Sequence, residues 1–168
     1  VTDGGASGPP SVPAGIPHPL SEAEVLTLLD SVLGDDAVAR RDRALIEFLY
    51  ATGARIGEVV GLSLSDIDVD SGLVRVFGKG SKERIVPFGR AAGEALRQWL
   101  AQSGRAAMEP LRWARKGDAE ALFLNHRGAR LSRQSAWLVV RKYGDVCGFG
   151  DRLSPHVLRH SCATHLLD

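Results

Sequence analysis

A histidine and an arginine lie three residues apart near the end of the chain, in a segment suited to holding a phosphate. Ser154 is a good N-cap and Pro155 suits the first helical position, so a helix is predicted to begin at Pro155. His156 and Arg159 then share one face of the first turns, where backbone N–H groups point outward and the helix dipole is positive. A guanidinium and an imidazole placed there can bind a phosphate and move a proton beside it.

The same segment also admits a metal site, because His156 and His160 have the spacing H-x-x-x-H. Zinc proteases place a glutamate beside the first histidine, but Val157 stands there, and a third ligand with clear spacing is absent. We therefore expect no metal ion and no cofactor. His160 and Cys162 are expected to pack in the core or behind the site.

Arg55 and Glu58 form a second pair with a spacing of three, directly after a glycine turn. A short helix predicted in this stretch places both side chains on one face. The pair is either a surface ion pair worth a few tenths of a kcal/mol or an arginine that its acidic neighbour aims at an anion.

Lys79 lies between two glycines at the tip of a predicted hairpin. A lysine flanked by glycine can reach into a groove with little steric hindrance, and it can donate a proton where its pKa is lowered. A solvated hairpin tip with a lysine guarding the sheet edge explains the pattern equally well. Lys82 fits the same chemistry from the sequence alone.

Helices and a few short strands must position these residues. Hydrophobic periodicity, capping residues and turn residues predict a mainly helical α+β domain with a small three-stranded antiparallel sheet at its edge. A capping box, Ser21 with Glu24, begins the first helix, and Gly53 ends the second. The predicted helices cover about 21–34, 36–50, 55–62, 89–104, 109–117, 133–144 and 155 onward, and the strands 66–69, 73–77 and 84–87.

Composition bounds the class of protein. The chain has 168 residues, 44% of them hydrophobic, which suffices for one well-cored domain over residues 20–168. Residues 1–19 hold five of the eight prolines and few core-forming residues, which predicts a flexible linker or tail. Two cysteines outside any CxxC pattern suit a reducing cytoplasm, and the apolar runs are too short to span a membrane.

The charge distribution favours a polyanionic partner. The net charge is only +1, but residues 1–36 carry six acids and no Lys or Arg. All 21 basic residues therefore lie in the remainder, with 14 acids. Between Arg75 and Arg90 there are five basic residues and one acid. Nucleic acid is a plausible partner, although any single cluster is also compatible with a solvated surface.

Three stretches in this order carry a resemblance: "ATGARIGEVVGL", "GKGSKERIVPFG" and "LSPHVLRHSCATHLL". Together they resemble the catalytic domain of the tyrosine recombinases, the lambda-integrase-like family, and within it the bacterial Xer recombinases. The resemblance covers about Leu20 to Asp168 and keeps the family's spacing between motifs.

The resemblance implies a role for each candidate residue. Arg55 matches the family's first catalytic arginine, and Glu58 matches the acidic residue that supports it. Lys79, which the motif favours over its neighbours, resembles the general acid for the 5′ leaving oxygen. His156 and Arg159 match the H-x-x-R motif, in which the histidine transfers a proton and the arginine holds the scissile phosphate. The implied reaction passes through a 3′-phosphotyrosyl intermediate.

The family's second histidine and its nucleophilic tyrosine correspond to positions beyond Asp168. Tyr50 and Tyr143 do not match the nucleophile's position and are interpreted as structural. We therefore expect the 168 residues alone to be unable to cleave DNA. The proline-rich start is expected to be the linker from the family's helical DNA-clamping domain.

The expected partner is a double-stranded DNA recombination site. Candidate contacts are Lys82 and Arg84 on the hairpin and Arg133 and Gln134 on a helix. By the resemblance, the full-length protein works with a second related recombinase in a tetramer, in chromosome dimer resolution. A phage or transposon integrase remains an alternative, and so does a DNA-binding module without catalysis.

Overall fold

The computed structural model describes residues 19–167, with side chains up to Cys162. The predicted linker over residues 1–19 lies outside the described residues except for Pro19. The described helices are α1 (Glu22–Asp30), α2 (Ala37–Thr52), α3 (Ile56–Val60), α4 (Gly89–Leu100), α5 (Arg105–Met108), α6 (Arg133–Val146) and α7 (Pro155–Leu167). The strands are β1 (Ile67–Asp68), β2 (Leu73–Phe77) and β3 (Glu83–Pro87).

Helix α2 lies at the centre of the core. It packs against each of the other six α-helices, α1 and α3 to α7. The Asp36 side chain accepts a hydrogen bond from the Ala39 N–H and caps the start of α2, and Gly53 ends it in the left-handed conformation at φ 64°. The apolar residues predicted for its core face are all buried: Leu45, Ile46, Phe48 and Leu49.

The three strands form one antiparallel sheet in the order β1-β2-β3. Val74 pairs with Val86, and Arg75 pairs with Ile85. Val74 and Val76 are buried, whereas Phe77 is exposed. This alternation follows from the two-residue period of a strand. The predicted fold class, mainly helical α+β with a three-stranded antiparallel sheet, is confirmed.

The helix predicted over 109–117 is wrong, and the helices predicted over 21–34 and 89–104 end earlier, at Asp30 and Leu100. Residues 109–117 form bends and turns, and the helix of this region is α5, just before them. Helix α6 does not end at Gly144 but continues to Val146. Gly144 is buried because Leu153 packs on it: a Cβ there would lie 2.5 Å from Leu153 Cδ2. The glycine serves a close contact rather than a helix end.

A buried polar network joins α2 to α6. The Tyr143 hydroxyl donates to Asp42 Oδ2 at 2.6 Å, and Arg41 donates to Asp42 Oδ1 through Nε and Nη2. Arg41 also donates to the Leu124 carbonyl. This arrangement supports the structural role predicted for Tyr143. No helix in the described part of the chain is long and apolar enough to cross a membrane.

Candidate active site

The residues predicted to carry chemistry meet in one cavity of about 950 Å³. It lies where α3, the β2–β3 hairpin, α6 and the start of α7 come together. Arg55, Lys79, His156 and Arg159 all line it, although the chain separates the first and last by more than a hundred residues. The other lining residues are Ile56, Gly57, Glu58, Phe77, Gly78, Arg133, Gln134, Trp137 and Pro155.

Arg159 is held against the turn that precedes Arg55. Its Nε donates to the Gly53 carbonyl at 2.8 Å. Gly53 has a φ of 64°, which a residue with a side chain rarely adopts, and a Cβ there would lie 3.2 Å from Cys162 Sγ. Helix α7 therefore docks closely on this turn. The bond uses only Nε, so the remaining N–H groups of the Arg159 guanidinium stay available for an anion.

Glu58 fixes the other side of the turn. Its Oε1 accepts from the Arg55 backbone N–H at 2.8 Å, and its Oε2 lies 4.0 Å from Arg55 Nη1. The Glu58 side chain is only 8% exposed, whereas that of Arg55 is 62% exposed. The carboxylate thus anchors the backbone of Arg55 and leaves its guanidinium open to the cavity.

Arg84 forms a two-pronged contact with the same carboxylate. Its Nη1 lies 3.1 Å from Glu58 Oε2 and its Nη2 lies 3.1 Å from Oε1. Burial, the largest influence, would raise the pKa of Glu58. The hydrogen bonds from Arg84 and the Arg55 N–H, with the charges of both arginines, together outweigh it and hold the pKa below its ordinary value. Glu58 is therefore ionised at neutral pH.

The start of α7 presents His156 to the cavity. Ser154 caps the helix as predicted: its Oγ accepts from the Val157 N–H at 3.2 Å. His156 is exposed at the cavity wall. His160 is also exposed, so the prediction that it packs in the core or behind the site is wrong. One helical turn separates the two histidines, and His160 does not line the cavity. Cys162, by contrast, is buried as predicted.

The hairpin distinguishes its two lysines. Lys79 begins a short turn, Lys79–Ser81, between β2 and β3, and it lines the cavity. Gly80 permits this tight turn because it adopts a φ of 74°. Lys82 is exposed and does not line the cavity. The geometry therefore favours Lys79 for chemistry and leaves Lys82 on the outside of the hairpin.

Helix α6 supplies a wall with both polar and aromatic groups. Arg133 and Gln134, expected as DNA contacts, line the cavity, as does Trp137 one turn further along. Arg133 lies across Gly57, where a Cβ would be 3.3 Å from its Nε. The guanidinium of Arg141 lies 5.8 Å from the centre of the Trp137 ring.

Four apolar wall residues were not predicted from the sequence: Ile56, Phe77, Trp137 and Pro155. Apolar residues at helical or strand spacing look like core residues, so periodicity alone does not single them out. Phe77 carried a usable signal, because strand alternation places its side chain on the face of the sheet opposite to that of the buried Val76. The contact of Arg84 with Glu58 left no signal in the sequence, since 26 residues separate the two.

The cavity can bind an anion that has several acceptor oxygens. Three arginines, a lysine and a histidine line it, and these side chains can donate hydrogen bonds to a phosphate and stabilise extra charge on it. Neither of the chain's two tyrosines, both of which are described, lines the cavity. Among the residues that the structure describes, no group of three or more His, Cys, Asp or Glu could hold a metal ion.

Comparison with known proteins assigns the chain and its fold to a family. Residues 19–168 match the phage integrase family. The tyrosine recombinase XerD of Corynebacterium glutamicum is 47% identical over 163 residues, which are 95% of this chain and 51% of that protein. XerD of Halalkalibacterium halodurans is 43% identical over 153 residues, which are 91% of this chain and 49% of that protein. The chain thus spans about half the length of the curated relatives it matches.

Solved structures support the same family. XerA recombinase superposes with a TM-score of 0.75 at 29% identity, over 90% of this chain and 51% of XerA. XerH, a site-specific recombinase bound to its difH substrate before cleavage, gives 0.71 at 27% identity, over 89% of this chain and 43% of XerH. The predicted resemblance to the Xer group is confirmed. The chain belongs to the phage integrase family, which is a family of tyrosine site-specific recombinases.

Proposed function

We propose that this chain is the phosphate-binding part of a XerD-type site-specific DNA recombinase. The observation that carries the proposal is the contact between Arg159 and the carbonyl of Gly53. Because Gly53 lies two residues before Arg55, this bond draws the two arginines to one cavity, which Lys79 and His156 also line. The XerD relatives and the DNA-bound XerH structure support DNA as the substrate.

The chemistry follows from the charge that develops on the phosphate. A tyrosine oxygen attacks the phosphorus and forms a P–O bond, and the bond to the 5′ oxygen of the DNA breaks. Arg55 and Arg159 stabilise the added charge on the non-bridging oxygens. Lys79 gives a proton to the departing 5′ oxygen, and His156 accepts the proton that the attacking tyrosine hydroxyl loses. A DNA hydroxyl later attacks the phosphotyrosyl bond, so bond energy is retained.

The 168 residues alone are proposed not to cleave DNA. Tyr143 is buried with its hydroxyl on Asp42, and Tyr50 lies on α2 away from the cavity lining. Covalent protein–DNA adducts on a nicked recombination site would contradict this proposal. In the proposed reaction, the nucleophile is instead a tyrosine of the family's carboxy-terminal segment.

Chromosome dimer resolution is the proposed cellular role, in the cytoplasm and with a second related recombinase in a tetramer. Several curated relatives named XerD at 43–47% identity support it. Transposon integrases share the fold at 20–22% identity, which supports no shared role. Chromatin immunoprecipitation separates the two: one chromosomal site of the difH kind supports the proposal, and the ends of a mobile element contradict it.

The enzymatic role is tested with Arg159→Ala in a fusion of this chain to the carboxy-terminal segment of XerD from Corynebacterium glutamicum. Loss of one such donor is expected to lower the cleavage rate about 100- to 1,000-fold, while DNA binding persists. Arg97→Ala is the matched control, because Arg97 lies on α4 and pairs with Asp70 outside the cavity. DNA binding with no cleavage by the parent fusion would favour a DNA-binding module. Unchanged cleavage in Arg159→Ala would contradict the role given to Arg159.

A further inference from the structure

Arg84 is the cation on Glu58 that comes from the hairpin. It extends from β3 and meets both carboxylate oxygens at 3.1 Å. This forked geometry is the strong, directional form of an arginine–carboxylate contact. The Arg84 side chain is 42% exposed, but the carboxylate that it holds is nearly buried.

The start of the hairpin turn lies against this pair. A Cβ at Gly78 would lie 3.4 Å from Glu58 Oε2 and 3.5 Å from Arg84 Nη1. Gly78 therefore lies within contact range of both groups. Since Lys79 follows Gly78 directly, the position of the lysine depends on how the start of the turn lies on Glu58.

Glu58 has few other partners that could hold it. Arg55 offers its backbone N–H at 2.8 Å, but its guanidinium is 4.0 Å away and mostly exposed. A nearly buried carboxylate needs hydrogen bonds to remain ionised. Arg84 supplies two of them, so its loss leaves Glu58 with a much weaker set of contacts.

We propose that Arg84 is a positioning residue of the phosphate site: through Glu58 it fixes the turn that carries Arg55 and fastens the hairpin that carries Lys79 to α3. The proposal rests on the proposed function in assuming that the cavity takes a DNA phosphate. It replaces the sequence-based expectation that Arg84 contacts DNA directly.

A double-mutant cycle tests whether Arg84 acts through Glu58. Duplex DNA affinity of the 168-residue chain is measured by fluorescence anisotropy for Arg84→Gln, Glu58→Gln and the double variant. We expect Arg84→Gln to weaken binding about fivefold in the parent and less than about twofold in the Glu58→Gln background, because coupled residues are not additive. Arg84→Lys should restore part of the affinity, since it keeps the charge but not the fork.

Two results would overturn the proposal. An equal loss in both backgrounds would mean that Arg84 binds DNA itself, and no loss in either would mean that it does not matter. Arg90→Gln is the control, because it removes one exposed positive charge just after β3 without touching Glu58. Thermal unfolding of each variant separates a local effect from loss of the fold.

A second readout reports on the carboxylate alone. Side-chain carbon NMR of Glu58 is followed from pH 3 to 7 in the parent and in Arg84→Gln. We expect its titration midpoint to move upward in the variant, since burial then acts with less opposition. The other charged groups at the cavity are Arg55, Lys79, Arg133, His156 and Arg159. Histidine is the only residue type among them with an ordinary pKa near this range, so His156→Gln is the control.

The two proposals fail in different ways. An unmoved Glu58 titration contradicts the positioning role whether or not the cavity binds DNA. If Arg55→Ala leaves DNA affinity unchanged while Glu58 does shift in Arg84→Gln, the proposed function fails and the link between Arg84 and Glu58 stands.

Discussion

At the scale of single residues, hydrogen bonds over long sequence distances decide where the functional groups lie. The Arg159–Gly53 bond and the Arg84–Glu58 contact join residues 106 and 26 positions apart. The accepting groups are the Gly53 carbonyl and the Glu58 carboxylate. Loss of either bond would leave a side chain of the cavity with several orientations rather than one.

The same principle makes a prediction for the buried Tyr143. Burial first, and then the hydrogen bond to Asp42, raise the pKa of Tyr143 above its ordinary value. We expect Tyr143→Phe to lower the free energy of unfolding by about 1–2 kcal/mol at pH 7, because Asp42 loses a buried donor. Urea unfolding measures the difference.

The pH dependence of that difference follows from the sign of the shift. A raised pKa favours the neutral phenol in the folded chain, so its contribution is complete below pH about 10 and declines as the pH rises further. The difference in free energy of unfolding between the parent and Tyr143→Phe should therefore become smaller above pH about 10. Tyr50 is present in both proteins, so its ionisation does not change the difference between their free energies of unfolding. A difference that becomes larger there would contradict this account of Tyr143.

At the scale of elements, the end of α2 is the point on which the site depends. Gly53 ends the helix and accepts the bond from Arg159, and a Cβ added to it would lie 3.2 Å from Cys162 Sγ on α7. One residue thus sets both the helix end and the approach of α7 to the turn that carries Arg55.

Gly53→Ala is predicted to be more harmful than the same change at Gly72. Both glycines have left-handed backbones, at φ 64° and 71°, but only the Cβ at Gly53 meets a neighbour within 4 Å. The strained backbone should cost about 1 kcal/mol at either position, and crowding against Cys162 should add about 1–2 kcal/mol at Gly53. Thermal or urea unfolding compares the two, and equal losses would contradict the role given to Cys162.

The sequence predicted these elements unevenly. Capping signals were reliable where the cap is local: Ser21 with Glu24, and Ser154, accept the N–H bonds expected of them. Gly144 misled the prediction, because a glycine that admits Leu153 looks the same in sequence as one that ends a helix. Local chemistry is visible in a sequence, and tertiary contacts are not.

At the scale of the whole molecule, the fold brings the ends of the described chain together. The Ser161 hydroxyl accepts from the Leu20 N–H at 2.7 Å, across 141 residues. It also donates to the Val157 carbonyl, which is in its own helix. The start of the domain is thereby fixed to α7, the helix that carries His156 and Arg159.

The motif order predicted the family, and the cavity gives that order a physical meaning. Four residues from a helix start, a hairpin turn and a second helix start line the same cavity: Arg55, Lys79, His156 and Arg159. The resemblance indicated which residues to choose. The sequence could not show that Trp137 and Phe77 complete the walls, since side chains from separate elements meet there only after folding.

The central claim is that Arg55 and Arg159 bind the same phosphate. The most direct measurement follows the Nε–Hε NMR signals of both arginines while inorganic phosphate is added to the 168-residue chain. The account predicts that both signals shift with one dissociation constant, and that Arg159→Ala removes the response at Arg55. Two different dissociation constants, or an Arg55 response that survives Arg159→Ala unchanged, would contradict it.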